Sequence, residues 1–206
     1  MSERELTVKR IIQVLSLVAV VAAAGTPAIS QTVLTDVWKD KAPRGKATKI
    51  AVFWMAPVPQ NRLLAENEFV RQLKERGNIA MPAYVVIPPD KFVERDAAVA
   101  KIKGLGVDVL LTLRAIDKKT AQTSVPEPGS PDRARLSGYY SMVYDAPSRD
   151  ASDTAYVEAN LFEVSTEQRI WTARSVTKVT VTDQQALAGL VTSLIDRLAS
   201  DGLILK

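Results

Sequence analysis

Residues 156–178 read YVEANLFEVSTEQRIWTARSVTK and predict a β-hairpin. Two runs rich in β-branched and aromatic residues flank the short polar turn STEQ, a pattern typical of adjacent antiparallel strands. A hairpin alone is only marginally stable in water. We therefore expect the rest of the chain to supply a larger sheet, together with helices that cover it.

Alternation along the hairpin assigns its side chains to two faces. Because successive side chains of a strand point to opposite faces, Val157, Ala159 and Leu161 are expected on one face. In the second run, Trp171 is expected on the face opposite to Ile170. We interpret Trp171 as a core residue rather than as a platform on which a sugar stacks.

The segments before the hairpin alternate between strand and helix patterns. In chain order they predict a strand, a helix, a strand, a helix and a strand, at 49–56, 61–77, 79–87, 96–103 and 107–116. This order predicts parallel strands joined by crossovers. After the hairpin, a helix is predicted by apolar residues at helical spacing, namely Leu187, Leu190, Val191, Leu194, Ile195 and Leu198. The predicted fold class is α/β (α+β), a mixed sheet covered by helices.

Local signals place the ends of these elements. Asn61 and Asp183 are expected to cap the first and last helices, because their side chains can accept free backbone N–H groups. Gly77 and Gly202 are expected to end the same two helices. Pro82 is expected at the end or at the edge of its strand, because proline has no N–H to donate.

Residues 1–30 have the pattern of a secretory signal peptide. Basic residues near the N-terminus precede an apolar run at 11–24, and Ala28–Ser30 offers small residues for cleavage. The run is shorter than the roughly 20 residues that span a bilayer comfortably. We expect an exported, periplasmic protein that is cleaved near Ser30, and the alternative is a segment kept as a membrane anchor.

Residues 31–48 are predicted to be an N-terminal linker, and residues 49–206 a single domain. The linker region is rich in basic residues, which are Lys39, Lys41, Arg44, Lys46 and, just beyond it, Lys49. Such a segment can contact anionic lipid or cell-wall polymer. The alternative is a solvated linker or an irregular lead-in to the first strand.

Residues 118–153 form a predicted insert rich in proline and tyrosine. An insert of this length within a compact domain is often functional or disordered. Residues 136–144 have the composition of a strand. The aromatic residues Tyr139, Tyr140 and Tyr144 either form a partner surface, since tyrosine is enriched at interfaces, or pack on the sheet.

The composition narrows the chemistry that the chain can perform. The sequence contains neither Cys nor His. It therefore lacks thiol nucleophiles, disulfides and the commonest general base. The net charge of +4 is mild and diffuse, which does not indicate nucleic-acid binding. We predict no cofactor and no metal site.

Four carboxylates are the remaining catalytic candidates. Asp108 and Asp117 flank one predicted strand, and Glu158 and Glu163 lie on the hairpin. Two converging carboxylates can perform acid–base chemistry, although acidic residues scattered along strands usually face solvent. The pair Gly104 and Gly106 is interpreted as a helix end, because a phosphate-binding loop would precede a helix rather than follow one.

Several segments resemble small bacterial envelope domains. They are KIAVFW at 49–54, LKERG at 73–77, GVDVLLTL at 106–113 and the hairpin at 161–175. These segments are similar to secreted proteins and lipoproteins related to the amino-terminal domain of TolB, the penicillin-binding-protein activator LpoB and the core of CsgG. The resemblance implies a mixed sheet with helices and a role in envelope assembly or accessory binding. The chain lacks the Cys that carries lipid in the lipoproteins, so free periplasmic residence is expected.

These observations predict an exported, non-catalytic envelope protein that acts as an accessory, assembly or binding module for other envelope proteins. One alternative is a periplasmic domain that binds a small molecule or a glycan, which should show a closed pocket lined by aromatic residues. A second alternative is a hydrolase that uses carboxylates in place of His. That mechanism requires two of the four carboxylates to converge in one cleft.

Overall fold

The computed structural model describes residues 31–42, 44–56, 58–89, 93–123, 135–136, 154–178 and 183–206. The strands are β1 Thr32–Lys39, β2 Lys49–Trp54, β3 Ile79–Pro82, β4 Val109–Ala115, β5 Thr154–Glu163 and β6 Arg169–Lys178. The helices are α1 Pro59–Glu75, α2 Arg95–Gly104, α3 Lys118–Ala121 and α4 Asp183–Ser200, with a 3-10 turn at Ala83–Val85. In the part of the chain that is described, no helix is long and apolar enough to cross a membrane.

The six strands form one mixed sheet in the order β1-β6-β5-β4-β2-β3. Strand β2 pairs in parallel with β3 and with β4, whereas the pairs β4–β5, β5–β6 and β6–β1 are antiparallel. The predicted α/β class with a mixed sheet is confirmed. We call the lower end of the sheet the end at which β1 and β5 finish and at which β2, β3, β4 and β6 begin.

Helices cover the two faces of the sheet unequally. Helices α1 and α4 pack on the first face, where Phe69 and Leu194 join a core that includes Val52, Leu111 and Trp171. Helix α2 packs on the second face around β2 and β4 through Ala98, Val99 and Ile102. Both inner parallel strands are therefore covered on both sides, which explains their nearly continuous apolar sequences.

The predicted hairpin is confirmed, with one exception in the assignment of its faces. Leu161 pairs with Trp171 and Phe162 pairs with Arg169, so Ile170 is an extra residue in β6. Ile170 and Trp171 consequently pack into the same core cluster, and the expectation that they face opposite sides is wrong. A β-bulge has this effect because two residues of one strand oppose a single residue of its partner.

The prediction of a linker at 31–48 is wrong for Thr32–Lys39, which forms β1 and pairs with β6. Leu34 and Val37 both pack against the first-face core. They lie three residues apart, a spacing that does not fit strict strand alternation. A shift in the pairing register between Leu34 and Asp36 places them on one face, and this shift removes the alternation by which a strand is predicted from sequence.

Proline positions correct two further predictions. The strand expected at 79–87 ends at Pro82 and continues as the 3-10 turn, because proline cannot donate to the sheet ladder. Asn61 is not a cap, since α1 already begins at Pro59 after Val58. Proline suits the first turn of a helix, where its missing N–H would have no partner in the helix.

Glycine ends α1 and α4 as predicted. Gly77 and Gly202 have φ of 81° and 75°, the left-handed region that favours glycine. After each glycine the next N–H bonds back into the helix, from Asn78 to Leu73 O and from Leu203 to Leu198 O. Helix α4 begins at Asp183, but the side chain expected to cap it lies outside the described residues.

Candidate functional site

Asp108 and Asp117 stabilise the backbone at opposite ends of β4. The Asp108 carboxylate accepts the N–H groups of Thr48 and Lys49, each at 2.9 Å. These two backbone bonds hold the pKa of Asp108 below its usual value. Asp117 accepts the N–H of Thr120 at 2.7 Å and so caps the short helix α3. Both groups have structural contacts that account for their positions.

Glu158 is buried rather than facing solvent, contrary to the expectation for acidic residues on strands. Its carboxylate lies between Arg114, at 3.0 Å, and Arg174, at 3.2 Å. Burial tends to raise the pKa of Glu158, but the two guanidinium groups outweigh it and the pKa is lowered. Arg174 also donates to the carbonyl of Thr123, so this ion cluster fixes the chain after α3 to the sheet.

Glu163 lies at the lower end of the sheet, away from Glu158. It accepts hydrogen bonds from Arg44 at 2.8 Å and from the Thr166 hydroxyl at 2.6 Å. The four predicted carboxylates are thus engaged by different sets of groups. Among the described residues, no three carboxylates are grouped in a way that could hold a metal ion.

A second buried ion pair, which the sequence analysis missed, joins Arg62 to Glu66 at 2.7 Å. Glu66 is fully buried and also accepts the N–H groups of Trp54 and Tyr84. Burial raises the pKa of Glu66 despite the neighbouring guanidinium. The only available signal was the i, i+4 spacing of opposite charges within α1, and that spacing is equally common on exposed helix faces.

The basic segment predicted to contact anionic material lies at the lower end of the sheet. Lys39, Lys41 and Arg44 line a cleft of about 600 Å³ between the end of β1 and the end of α4. Lys39 crosses the cleft and donates to the carbonyl of Asp201 at 2.6 Å. The segment between β1 and β2 is therefore held against the end of α4.

Both carboxylates that line this cleft are already neutralised by the protein. Asp40 pairs with Arg44 at 2.6 Å, and the hydrogen bond from Arg44 is the main cause of its lowered pKa. Asp201 accepts the indole N–H of Trp171 at 2.8 Å and the Nε–H of Arg197 at 3.0 Å. The uncompensated charge in the cleft therefore belongs to its lysines.

Other basic residues reach the same end because several helices finish there. Positive side chains are favourable near the C-terminal end of a helix. Arg76 follows α1 and pairs with Asp196, and Lys103 in α2 pairs with Glu167. Among the described residues, the ammonium groups of Lys41, Lys46 and Lys74 have no hydrogen-bond or ion-pair partner. We call the surface formed by Lys39, Lys41, Lys46, Lys49 and Lys74 the basic end.

The remaining predicted sites have simpler outcomes. Trp171 is fully buried, in agreement with its interpretation as a core residue. Gly104 is the last residue of α2, and Gly106 follows it with φ of 64°, so this pair ends a helix as expected. Tyr139, Tyr140 and Tyr144 lie outside the described residues. Leu136, at the edge of that gap, is buried in the second-face core.

No family model matches the chain, and no curated protein matches it. Among solved structures, it is similar to a PelC dodecamer and to a dodecamer of a PelC variant, both from Paraburkholderia phytofirmans. The sequence identities are 16% and 17%, the TM-score is 0.43 in both cases, and each match covers 86% of this chain and 99% of the other. These values are too low to support an inference about this chain.

Proposed function

We propose that the chain is an exported, non-catalytic module of the bacterial cell envelope that binds another envelope component through its basic end. The observation that carries this proposal is a set of ammonium groups at one end of the sheet that have no partner in the described part of the chain. Lys41 and Lys46 come from the segment between β1 and β2, and Lys74 comes from the last turn of α1, whereas the nearby carboxylates have partners of their own. A surface with uncompensated charge attracts partners of opposite charge.

Two features of the sequence support export and binding over catalysis. Residues 1–30 have the three parts of a signal peptide. The chain has no His and no Cys. In the structure, Glu158 lies between two arginines, and it is the most deeply buried of the four candidate carboxylates. A carboxylate whose pKa is lowered in this way is a poor general acid at neutral pH.

Site-specific photocrosslinking in intact cells tests this proposal. A photoreactive residue replaces Gly45, which lies at the basic end with no atom within 4 Å of an added Cβ. The matched position is Gln60, which is exposed in the first turn of α1 at the opposite end. Because amine-reactive reagents would modify the lysines themselves, a photoreactive group is the better probe.

The expected result is capture of one envelope component from position 45 and not from position 60, with the mature protein lacking residues 1–30. Capture of cytosolic proteins alone, or recovery of the full-length chain in the cytosolic fraction, would overturn the proposal. Equal capture from both positions would show that the basic end is not the binding surface.

A further inference from the structure

The basic end is broad rather than concentrated in a groove. Lys41 follows β1 at one edge of the sheet, and Lys74 precedes β3 at the other edge. Lys46 lies between them in the sequence and leads into β2. With neighbouring strands about 4.8 Å apart, six strands give this end a width of about 24 Å. A single small anion cannot contact charges distributed over that width.

The donor groups at this end suit phosphate rather than paired recognition of one carboxylate. The terminal nitrogens of Arg44 already bind Asp40 and Glu163, so this guanidinium cannot form a bidentate contact with a ligand. The remaining donors are lysine ammonium groups, which act as compact point charges without directional preference. Point charges of this kind are suited to an array of phosphate groups.

Exposed apolar side chains lie mainly towards the other end of the sheet. The exposed large hydrophobic residues of the described part are Val33, Val58, Leu64, Ile79 and Val85. Of these described residues, only Ile79, the first residue of β3, is at the lower end. The basic end therefore has little apolar surface to insert into a bilayer, and attraction between charges must dominate its contact with a membrane.

We propose that the basic end binds the phosphate headgroups of anionic phospholipids and holds the domain at the membrane surface without insertion. This inference rests on the proposed function, since it names the envelope component. Each lysine near an anionic membrane strengthens binding about five-fold, which corresponds to about 1 kcal/mol. Loss of Lys41 and Lys46 together should weaken binding about 25-fold, and further loss of Lys74 should bring the decrease to about 125-fold.

Cosedimentation with vesicles tests the inference, with the protein in the form that cells produce. One set of vesicles contains phosphatidylcholine alone, and the other contains phosphatidylcholine mixed with phosphatidylglycerol. An apolar N-terminal segment would bind both sets alike, so the difference between them isolates the contribution of charge. The variant Lys41→Gln/Lys46→Gln is compared with Lys118→Gln/Lys119→Gln, which removes two exposed lysines at the opposite end of the sheet.

We expect binding to the anionic vesicles only, and we expect salt to weaken this binding. The affinity of the Lys41→Gln/Lys46→Gln variant should fall about 25-fold further than the affinity of its control. Equal binding to both sets of vesicles, or equal losses in both variants, would overturn the inference. Displacement by inorganic phosphate at constant ionic strength would also overturn it, because it would indicate a single-anion site in the cleft. A cytosolic location of the protein would contradict the proposed function but would not change the result with vesicles. Failure of the proposed function can therefore be distinguished from failure of the inference about lipid.

Discussion

Replacement of Arg62 by methionine tests how α1 is held against the sheet. The guanidinium pairs with the fully buried Glu66, donates to the carbonyl of Ile87 at 2.8 Å and lies 4.6 Å from the centre of the Phe53 ring. Methionine fills much of the same volume but leaves Glu66 without its counter-ion. Removal of one member of a buried ion pair costs about 3–5 kcal/mol.

The stability lost in the Arg62→Met variant should increase as the pH rises. Burial already raises the pKa of Glu66, and the loss of Arg62 should raise it further. A carboxyl group whose pKa is higher in the folded state stabilises the fold below its unfolded value of about 4.3, and this stabilisation is lost as the pH rises towards the folded value. The native protein shares this decline up to its own folded value, so the variant should lose stability relative to the native protein between the two folded pKa values, by up to about 1.4 kcal/mol for each pH unit.

Urea unfolding followed by tryptophan fluorescence measures this effect. With a denaturant slope of about 2 kcal/mol/M, a loss of about 4 kcal/mol lowers the unfolding midpoint by about 2 M. Arg71→Met on the same helix is the matched control, because the exposed Arg71 pairs with the half-buried Glu68 and the exposed Glu75. Its replacement should change the unfolding midpoint little. A penalty for Arg62→Met that is identical at about pH 5 and about pH 8 would refute the reasoning about Glu66.

Three further predictions use the same unfolding assay. The pKa of Glu158 is lowered by Arg114 and Arg174, so Glu158 stabilises the fold at pH values above the usual glutamate pKa, and this contribution is lost as the pH falls through the lowered pKa. Glu158→Gln should therefore flatten the loss of stability at acidic pH. An unchanged dependence of stability on acidic pH would contradict this prediction. Gly202→Ala should cost about 1–2 kcal/mol because φ is 75°, and a neutral effect would argue against the left-handed helix end. Leu194→Ala should cost about 2–5 kcal/mol because the side chain is 1% exposed; a loss below about 0.5 kcal/mol, the range of surface changes, would contradict its place in the core.

The inner strands and the last helix were predictable because each has a local pattern that its environment dictates. Strands β2 and β4 are covered on both faces, so their sequences are almost wholly apolar. Helix α4 packs one face on the sheet, so its apolar residues recur at helical spacing. For such elements the sequence pattern and the burial have the same cause.

Strand β1 was not predicted because the pattern of apolar residues in its sequence is weak. It is an edge strand, half exposed, and its register shift places Leu34 and Val37 on one face at a spacing of three residues, which does not fit strand alternation. Its pairing partner Thr177 is separated from Thr32 by most of the chain. No window of local sequence contains both members of that pair.

The candidate site was only partly predictable for a related reason. The basic residues at 39–49 are close in the sequence and could be recognised together, whereas Lys74 joins them only because α1 finishes at the same end of the sheet. The contact of Glu158 with Arg114 and Arg174 depends on the register of three strands. Sequence spacing carries no information about that register.

The pairing of the first strand with the last has a consequence for biosynthesis. Strand β1 leaves the ribosome early, but β6, its neighbour in the sheet of described strands, is complete only when Lys178 has been added. Contacts between such distant segments form slowly. The leading end of the domain therefore lacks its partner strand throughout most of translation, and a chain that has not yet folded can pass through a protein-conducting channel.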